Sequence, residues 1–425
     1  MKHTPVGISD LTLYVPNPVM ELDSLIKRRI AEEPKLERRL RRAIETTGQK
    51  SMRYPELWQD NATLSAQAAH TLLSRANRTS VAGLRYLAVG TETTVDHSKP
   101  IAAYVEGMLQ GAGVSVPEQI STFQVQHACA GGTISMLSVG ALLQVSGRSG
   151  ESGVVICSDI ARYDAPSTAE ITQGAGAVAM LIETNPALIE LDLQTQGYAS
   201  RDVDDFFRPI GSVTAKVKGG YSVQCYNEAF ELAFLDHCSR LGEDPAEVLQ
   251  QTDLFVLHVP FYRMAITALH RLVSKHVGLD ANQFDAFMEE RGFLQGIEPA
   301  TRIGNIYSGA AYMSLIFLLA DRYRTLGDDI IGKRLLIGSY GSGNTMTVVS
   351  GRVAQKAPSV ISGWDLDAIW KAAEQRPVSE YDRWMAAPYG RDEYRSLMDG
   401  VSVPAGHYYL GDIREDGYRE YRFSS

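Results

Sequence analysis

This 425-residue sequence predicts an α/β protein built from two similar halves. Three observations carry that prediction. Short apolar runs end abruptly in residues capable of chemistry, Gly-rich segments open apolar helices, and the same order of features returns later in the chain. Glu92 and His258 lie 166 residues apart, and Cys129 and Asn305 lie 176 apart. So long a period belongs to duplicated α/β halves and not to a solenoid. It divides the chain into residues 1–185 and 186–425, with the boundary inside 182–196.

The first apolar run, 84–89, reads as a buried strand leading into Gly90-Thr91-Glu92-Thr93. Phe123 and Val125 alternate ahead of Gln126-His127-Ala128-Cys129-Ala130-Gly131-Gly132-Thr133, and the helix that follows is apolar nearly all round, which predicts burial. A cysteine at the start of a helix lies over unpaired N–H groups, where the dipole favours thiolate, so Cys129 is the candidate nucleophile. Residues 154–157 form a further strand containing Cys157, and Gly174 to Met180 leads into another. In the second half, 254–257 runs into His258-Val259-Pro260-Phe261, and 334–337 runs into Gly338-Ser339-Tyr340-Gly341-Ser342-Gly343. Gly304-Asn305-Ile306-Tyr307-Ser308-Gly309, followed by a helix, echoes the cysteine segment. The polar stretch 196–220 reads as a loop over the cleft, and 363–401 as peripheral helices.

Lys plus Arg number 41 and Asp plus Glu 50, a formal charge of −9, which argues against nucleic acid or an anionic membrane as partner. The apolar stretch 310–320 is too short to span a bilayer, and the N-terminus has no signal core, so the expected location is cytoplasmic. The four cysteines, at 129, 157, 225 and 238, have neither CxxC spacing nor clustered histidines, which argues against a zinc site and a disulfide framework. Cys157 and Cys238 read as core filler.

A carboxylate, a thiol, an imidazole and a Gly/Ser loop at strand ends are the set a thioester-forming enzyme requires, and reacting groups collect at the carboxyl ends of strands. Each also has an ordinary reading. Glu92 could be a surface charge, His258 a core histidine, Asn305 a helix cap and the 341–343 segment a tight turn. Their joint occurrence favours the chemical one.

The chain resembles the 3-hydroxy-3-methylglutaryl-CoA synthases of the thiolase superfamily over nearly its whole length. The resemblance rests on Val89-Gly-Thr-Glu-Thr with Asp96, on Ala128-Cys129, on Gln173-Gly-Ala-Gly-Ala-Val-Ala-Met180 and on Asp205-Phe-Phe-Arg-Pro209. It continues through Ser222-Val-Gln-Cys-Tyr226, His258-Val-Pro-Phe261, Gly304-Asn-Ile-Tyr307, Ser339-Tyr-Gly-Ser-Gly343 and a tail hairpin between His407 and Tyr421. It implies a thiolase-like αβαβα fold and a homodimer. It further implies that Cys129 takes an acetyl group from acetyl-CoA, that Glu92 forms the enolate, and that the enolate attacks acetoacetyl-CoA. His258, supported by a side-chain hydrogen bond from Asn305, would hold and protonate the oxygen developing charge. The Cys129 N–H and the Gly341-Ser342-Gly343 turn would form an oxyanion hole, and hydrolysis would release product, with no cofactor required.

Asp96, Asp159 and Asp205 occupy acidic positions of the family. Ala130 stands where the family has tyrosine, an expected change of the acyl pocket, and Arg263 where a lysine for CoA is expected. An acyl carrier protein is the alternative partner, as in β-branching of polyketides. The basic stretch Lys35 to Arg42 either meets it, or CoA phosphate, or is a solvated face balanced by Glu32, Glu33 and Glu37. Two further readings are a decarboxylating ketoacyl synthase, which Glu92 argues against, and a non-catalytic acyl-binding scaffold.

Overall fold

The computed structural model describes residues 4–387 and 390–425. Ten strands dominate it: β1 (Val6–Tyr14), β2 (Leu84–Gly90), β3 (Ser121–Val125), β4 (Ser152–Ile160), β5 (Ala175–Thr184), β6 (Ile189–Leu191), β7 (Gly197–Ser200), β8 (Leu254–Leu257), β9 (Arg334–Gly341) and β10 (Thr345–Val353). They form one sheet in the order β8-β9-β10-β6-β1-β5-β4-β2-β3, with β7 also on β10. In the first half β2 runs parallel to β4, which is antiparallel to β5. In the second, β8 runs parallel to β9, which is antiparallel to β10. The short β6 pairs with both β1 and β10 and joins the two sets.

The duplication has one gap. Asn305 is preceded by a helical turn, Ala300–Ile303, so the second half lacks a counterpart of β3. β9 also continues to Gly341, four residues beyond the expected apolar run, because its ladder with β10 is unbroken from Arg334 to Gly341.

The helices used below are α1 (Glu37–Thr47), α2 (Asn61–Arg75), α3 (Gly131–Ser146), α4 (Gly219–Leu241), α5 (Tyr262–His276) and α6 (Ala310–Leu326). α3 packs on β2 and β4, α6 on β8 and β9, and the two meet where Thr133 Oγ1 and Tyr312 Oη share a hydrogen bond of 2.7 Å. α2 starts with a reciprocal capping box, Asp60 accepting from the Thr63 N–H while Thr63 Oγ1 accepts from the Asp60 N–H. Asp60 Oδ2 also receives Arg419 and Tyr421, which pins the C-terminal hairpin Tyr408–Ile413 and Arg419–Phe423.

The expectation that α3 would be buried all round fails. Met136, Val139 and Leu143 face the sheet, whereas Leu142 is 40% exposed and Val145 87% exposed. By length and composition α3 with its N-terminal approach is apolar enough to cross a membrane, but half of it is packed inside this fold. Cys157 and Cys238 are buried in the core, and all four cysteines are free thiols. The segment 363–401 carries Asp367–Lys371, Val378–Ala386 and Arg391–Met398, with Trp384 packed on Tyr54 and Tyr381.

Candidate active site

Cys129 lies in a short loop packed tightly at its glycines. Ala128 adopts φ 40° before α3 begins at Gly131. A Cβ on Gly90 would collide with the Gly131–Gly132 peptide, and one on Gly132 would collide with Cys157 Sγ, so the cysteine loop is wedged against the ends of β2 and β4. The sulfur joins a buried cluster with Ala161, Tyr163, Phe206, Ala215 and Tyr307. The rings of Tyr163 and Tyr307 pack edge-on against Phe206.

This environment reverses the expected ionisation. Burial pushes the Cys129 thiol well above its ordinary value, and the carboxylates of Glu92, Asp159 and Asp205 add to the shift. The helix start therefore does not leave a resting thiolate; the proton must leave as the sulfur attacks.

Glu92 follows β2 by two residues, and its backbone is tied down by Asp159. Asp159 Oδ1 accepts from the Glu92 N–H at 2.9 Å, Thr91 Oγ1 at 2.7 Å and Thr93 Oγ1 at 2.6 Å. Its Oδ2 accepts from Ser308 N–H at 3.0 Å and Ser308 Oγ at 2.5 Å, which locks the Glu92 loop to the segment after Asn305. The Glu92 carboxylate meets Arg208 Nη2 at 2.5 Å, with the two side chains 6% and 18% exposed. Burial pushes Glu92 up to about 8, against the nearby Arg208 cation and with a smaller upward push from Asp159.

His258 and Asn305 enter from the other half. His258 follows β8 directly, its N–H bonded to Gly338 O at 2.8 Å and its carbonyl accepting from Tyr226 Oη at 3.0 Å. Burial pushes its imidazole down to about 3, so it is neutral. Asn305 Oδ1 accepts from the Tyr307 N–H at 2.9 Å in a local turn, while Ile306 and Gly309 hold the N-cap positions of the helical segments that follow, so Asn305 is not the helix cap its ordinary reading offered, and its Nδ2 is the group left to donate.

Cys129, His258, Asn305, Ser342 and Arg263 line one cavity of about 700 Å³, together with Tyr163, Phe206 and Tyr307. Glu92 and Gly341 are not in its wall. Gly341 instead abuts His127 O and Ala130, and Ala130 is wholly buried there, which places the expected change at position 130 behind the cavity wall. The turn offers fewer donors than expected, since Gly343 N–H is taken by Asp205 Oδ1 at 2.9 Å. Asp205 Oδ2 also accepts from Tyr340 Oη at 2.7 Å and Ser222 Oγ at 3.1 Å, so this carboxylate anchors the loop over the cleft to β9. Asp96 is apart from the site and caps the N–H groups of Ser98 and Lys99.

Sequence reasoning missed Tyr163, and it quoted Tyr307, Ser308 and Arg208 within motifs without giving them a role. Arg208 carried the one usable signal, a lone cation two residues after the Asp205-Phe206 pair.

The chain matches the hydroxymethylglutaryl-coenzyme A synthase N-terminal family over residues 2–187 and the corresponding C-terminal family over residues 290–424. It belongs to the hydroxymethylglutaryl-CoA synthase family. It is 27% identical to the hydroxymethylglutaryl-CoA synthase of Haloferax volcanii over 420 residues, covering 89% of this chain and 91% of the relative. It superposes on MvaS solved with 3-hydroxy-3-methylglutaryl coenzyme A with a TM-score of 0.84 and 30% identity, each chain fully covered. The curacin pathway HMG synthase solved with holo donor-ACP shares the fold, with a TM-score of 0.82, 21% identity and coverage of 99% and 100%. As a member of the hydroxymethylglutaryl-CoA synthase family, the chain is an acyltransferase of thiolase-like fold.

Proposed function

We propose that this protein condenses an acetyl group with an acetoacetyl thioester and hydrolyses the product to 3-hydroxy-3-methylglutaryl-CoA, with acetyl-CoA and acetoacetyl-CoA as substrates. The observation that carries the reading is the convergence of Cys129, His258 and Asn305 on one cavity, with a buried Glu92 behind the cysteine cluster. Cys129 Sγ attacks the acetyl carbonyl, loses its proton and expels the CoA thiol. Glu92 removes a proton from the acetyl methyl, and the C–H electron pair becomes the enolate. The enolate carbon bonds to C3 of the acetoacetyl group, the C3 carbonyl π pair passes to its oxygen, and His258 and Asn305 Nδ2 steady that oxygen, which takes up a proton passed on by His258 from solvent. Water then cleaves the thioester to Cys129. Ser342 and the Cys129 N–H are assigned to the acetyl oxygen, and Arg263 at the exposed rim to CoA phosphate.

A carrier-protein substrate is the second reading, and the cavity rim favours giving it a place. Ala43, Thr46 and Thr47 of α1 line the rim, and the exposed Arg38, Arg39 and Arg42 on that helix have no ion pair among the described residues. Arg41 and Lys35, by contrast, pair with Glu37 and Glu33. A homodimer fits the unpaired edge β3 and the outward Leu142 and Val145 of the adjoining α3. A cytoplasmic location and a place in mevalonate formation belong to the same reading, the former supported by four free thiols.

Mass spectrometry after incubation with acetyl-CoA tests the first step. Wild type should gain one acetyl group on Cys129, and Cys129→Ser none. Parallel assays with acetoacetyl-CoA and acetoacetyl carrier protein then decide the substrate; equal or faster turnover of the carrier form would overturn the CoA assignment.

A further inference from the structure

We propose that Arg208 is a positioning residue that aims Glu92 and favours its carboxylate form as the base for the acetyl methyl group, so that the loop over the cleft sets the pH at which condensation begins. The inference rests on the reading above that Glu92 is the base. It adds a residue whose guanidinium is outside the cavity wall and acts only through Glu92.

The groups facing the Glu92 carboxylate make the case. Asp159 approaches from β4, Cys129 from the loop before α3, Tyr163 from the segment after β4, and Tyr307 from the turn before α6. Each of these is neutral or negative, and Arg208 is the cation among them. Two carboxylates buried this close resist joint ionisation unless a positive charge compensates. Arg208 supplies it at 2.5 Å, and the pair is too enclosed to be a solvent-screened surface bridge.

The placement of Arg208 is built into the loop. Three residues earlier Asp205 is bonded to Tyr340, Gly343 and Ser222, and its carbonyl accepts from Lys218 N–H at 2.9 Å. Phe206 packs on Tyr163 and Tyr307, and a two-residue ladder pairs Phe206 with Val217 and Phe207 with Lys216. Arg208 Nη1 closes the turn on Val213 O at 3.3 Å, while its Nε is buried without a hydrogen-bond partner. A guanidinium so held is oriented by Glu92 on one side and by its own loop on the other.

The chemistry is a single proton transfer. Glu92 takes the methyl proton and the C–H pair passes to the enolate, so only the carboxylate form works. Losing Arg208 raises the pH at which that form appears; acetylation of Cys129 does not use Glu92 as its base.

Full-length protein is incubated with acetyl-CoA in deuterated buffer across a pH series, reading Cys129 acetylation by mass and deuterium entering the acetyl methyl. Arg208→Gln should acetylate within about threefold of wild type, while the midpoint pH for deuterium uptake moves up by roughly 1–3 units. Arg208→Lys keeps the charge but loses the planar fork, and should move the midpoint up by a smaller step. An unmoved midpoint in every variant that still acetylates overturns the proposal, because a purely structural arginine would lower rate without moving it. Deuterium uptake that survives in Glu92→Gln instead removes Glu92 as the base, and both readings fall together at that point.

Discussion

The two halves present their site residues in surroundings of opposite electrical character. In the first, Glu92 and Cys129 lie in a charged, buried network in which Asp159 and Arg208 oppose each other across Glu92. In the second, His258 is neutral and Asn305 is an amide, and burial is the only influence that moves the imidazole. The difference matches a division of labour. Taking a proton from carbon needs a charge that can be neutralised, whereas steadying an alkoxide needs fixed dipoles that do not titrate.

The strongest way to break this comparison is Glu92→Gln. It should leave Cys129 acetylation in place and cut condensation by about 10²- to 10⁴-fold, measured by turnover with acetoacetyl-CoA. The same base should give wild type an acid limb. A carboxylate with its value near 8 is increasingly ionised as pH rises, so methyl proton exchange should climb toward a plateau above about 8. His258, ionising near 3, should add no second limb in that range.

A smaller effect is expected on the neutral side. His258→Ala should reduce turnover by about 10²- to 10³-fold with acetylation nearly intact. If it stops acetylation first, the assignment of the two halves is reversed. The smallest is Asn305→Ala, where loss of the buried bond from the Tyr307 N–H should cost about 1 kcal/mol in thermal unfolding, with a modest fall in turnover. Stability lost without any change in turnover would make Asn305 a turn-stabilising residue and nothing more.

How much was legible follows from how local each signal is. Leu84–Gly90 and Leu254–Leu257 were readable because parallel strands buried on both faces are nearly continuous apolar runs. Asn305 was legible only through the echo of the cysteine segment, and that echo is incomplete, since a helical turn, Ala300–Ile303, stands where the first half has β3. β9 was read too short because Gly338, Ser339 and Gly341 look like a loop until β10 pairs with them. The apolar face of α3 was visible, but periodicity cannot say whether such a face meets the same chain or another.

Residue types at strand ends were enough to mark Cys129, Glu92, His258 and the repeat that relates them, because hydrophobic patterning and turn residues act within a few positions. The ionisation of those groups was not. The thiol is protonated and the carboxylate poised near 8 because burial brings them, in a medium of low dielectric, together with charged groups 30 (Cys129 to Asp159) to 116 (Glu92 to Arg208) residues distant in sequence. Burial and the sign of a neighbour's charge are properties of packing, and no local spacing encodes them.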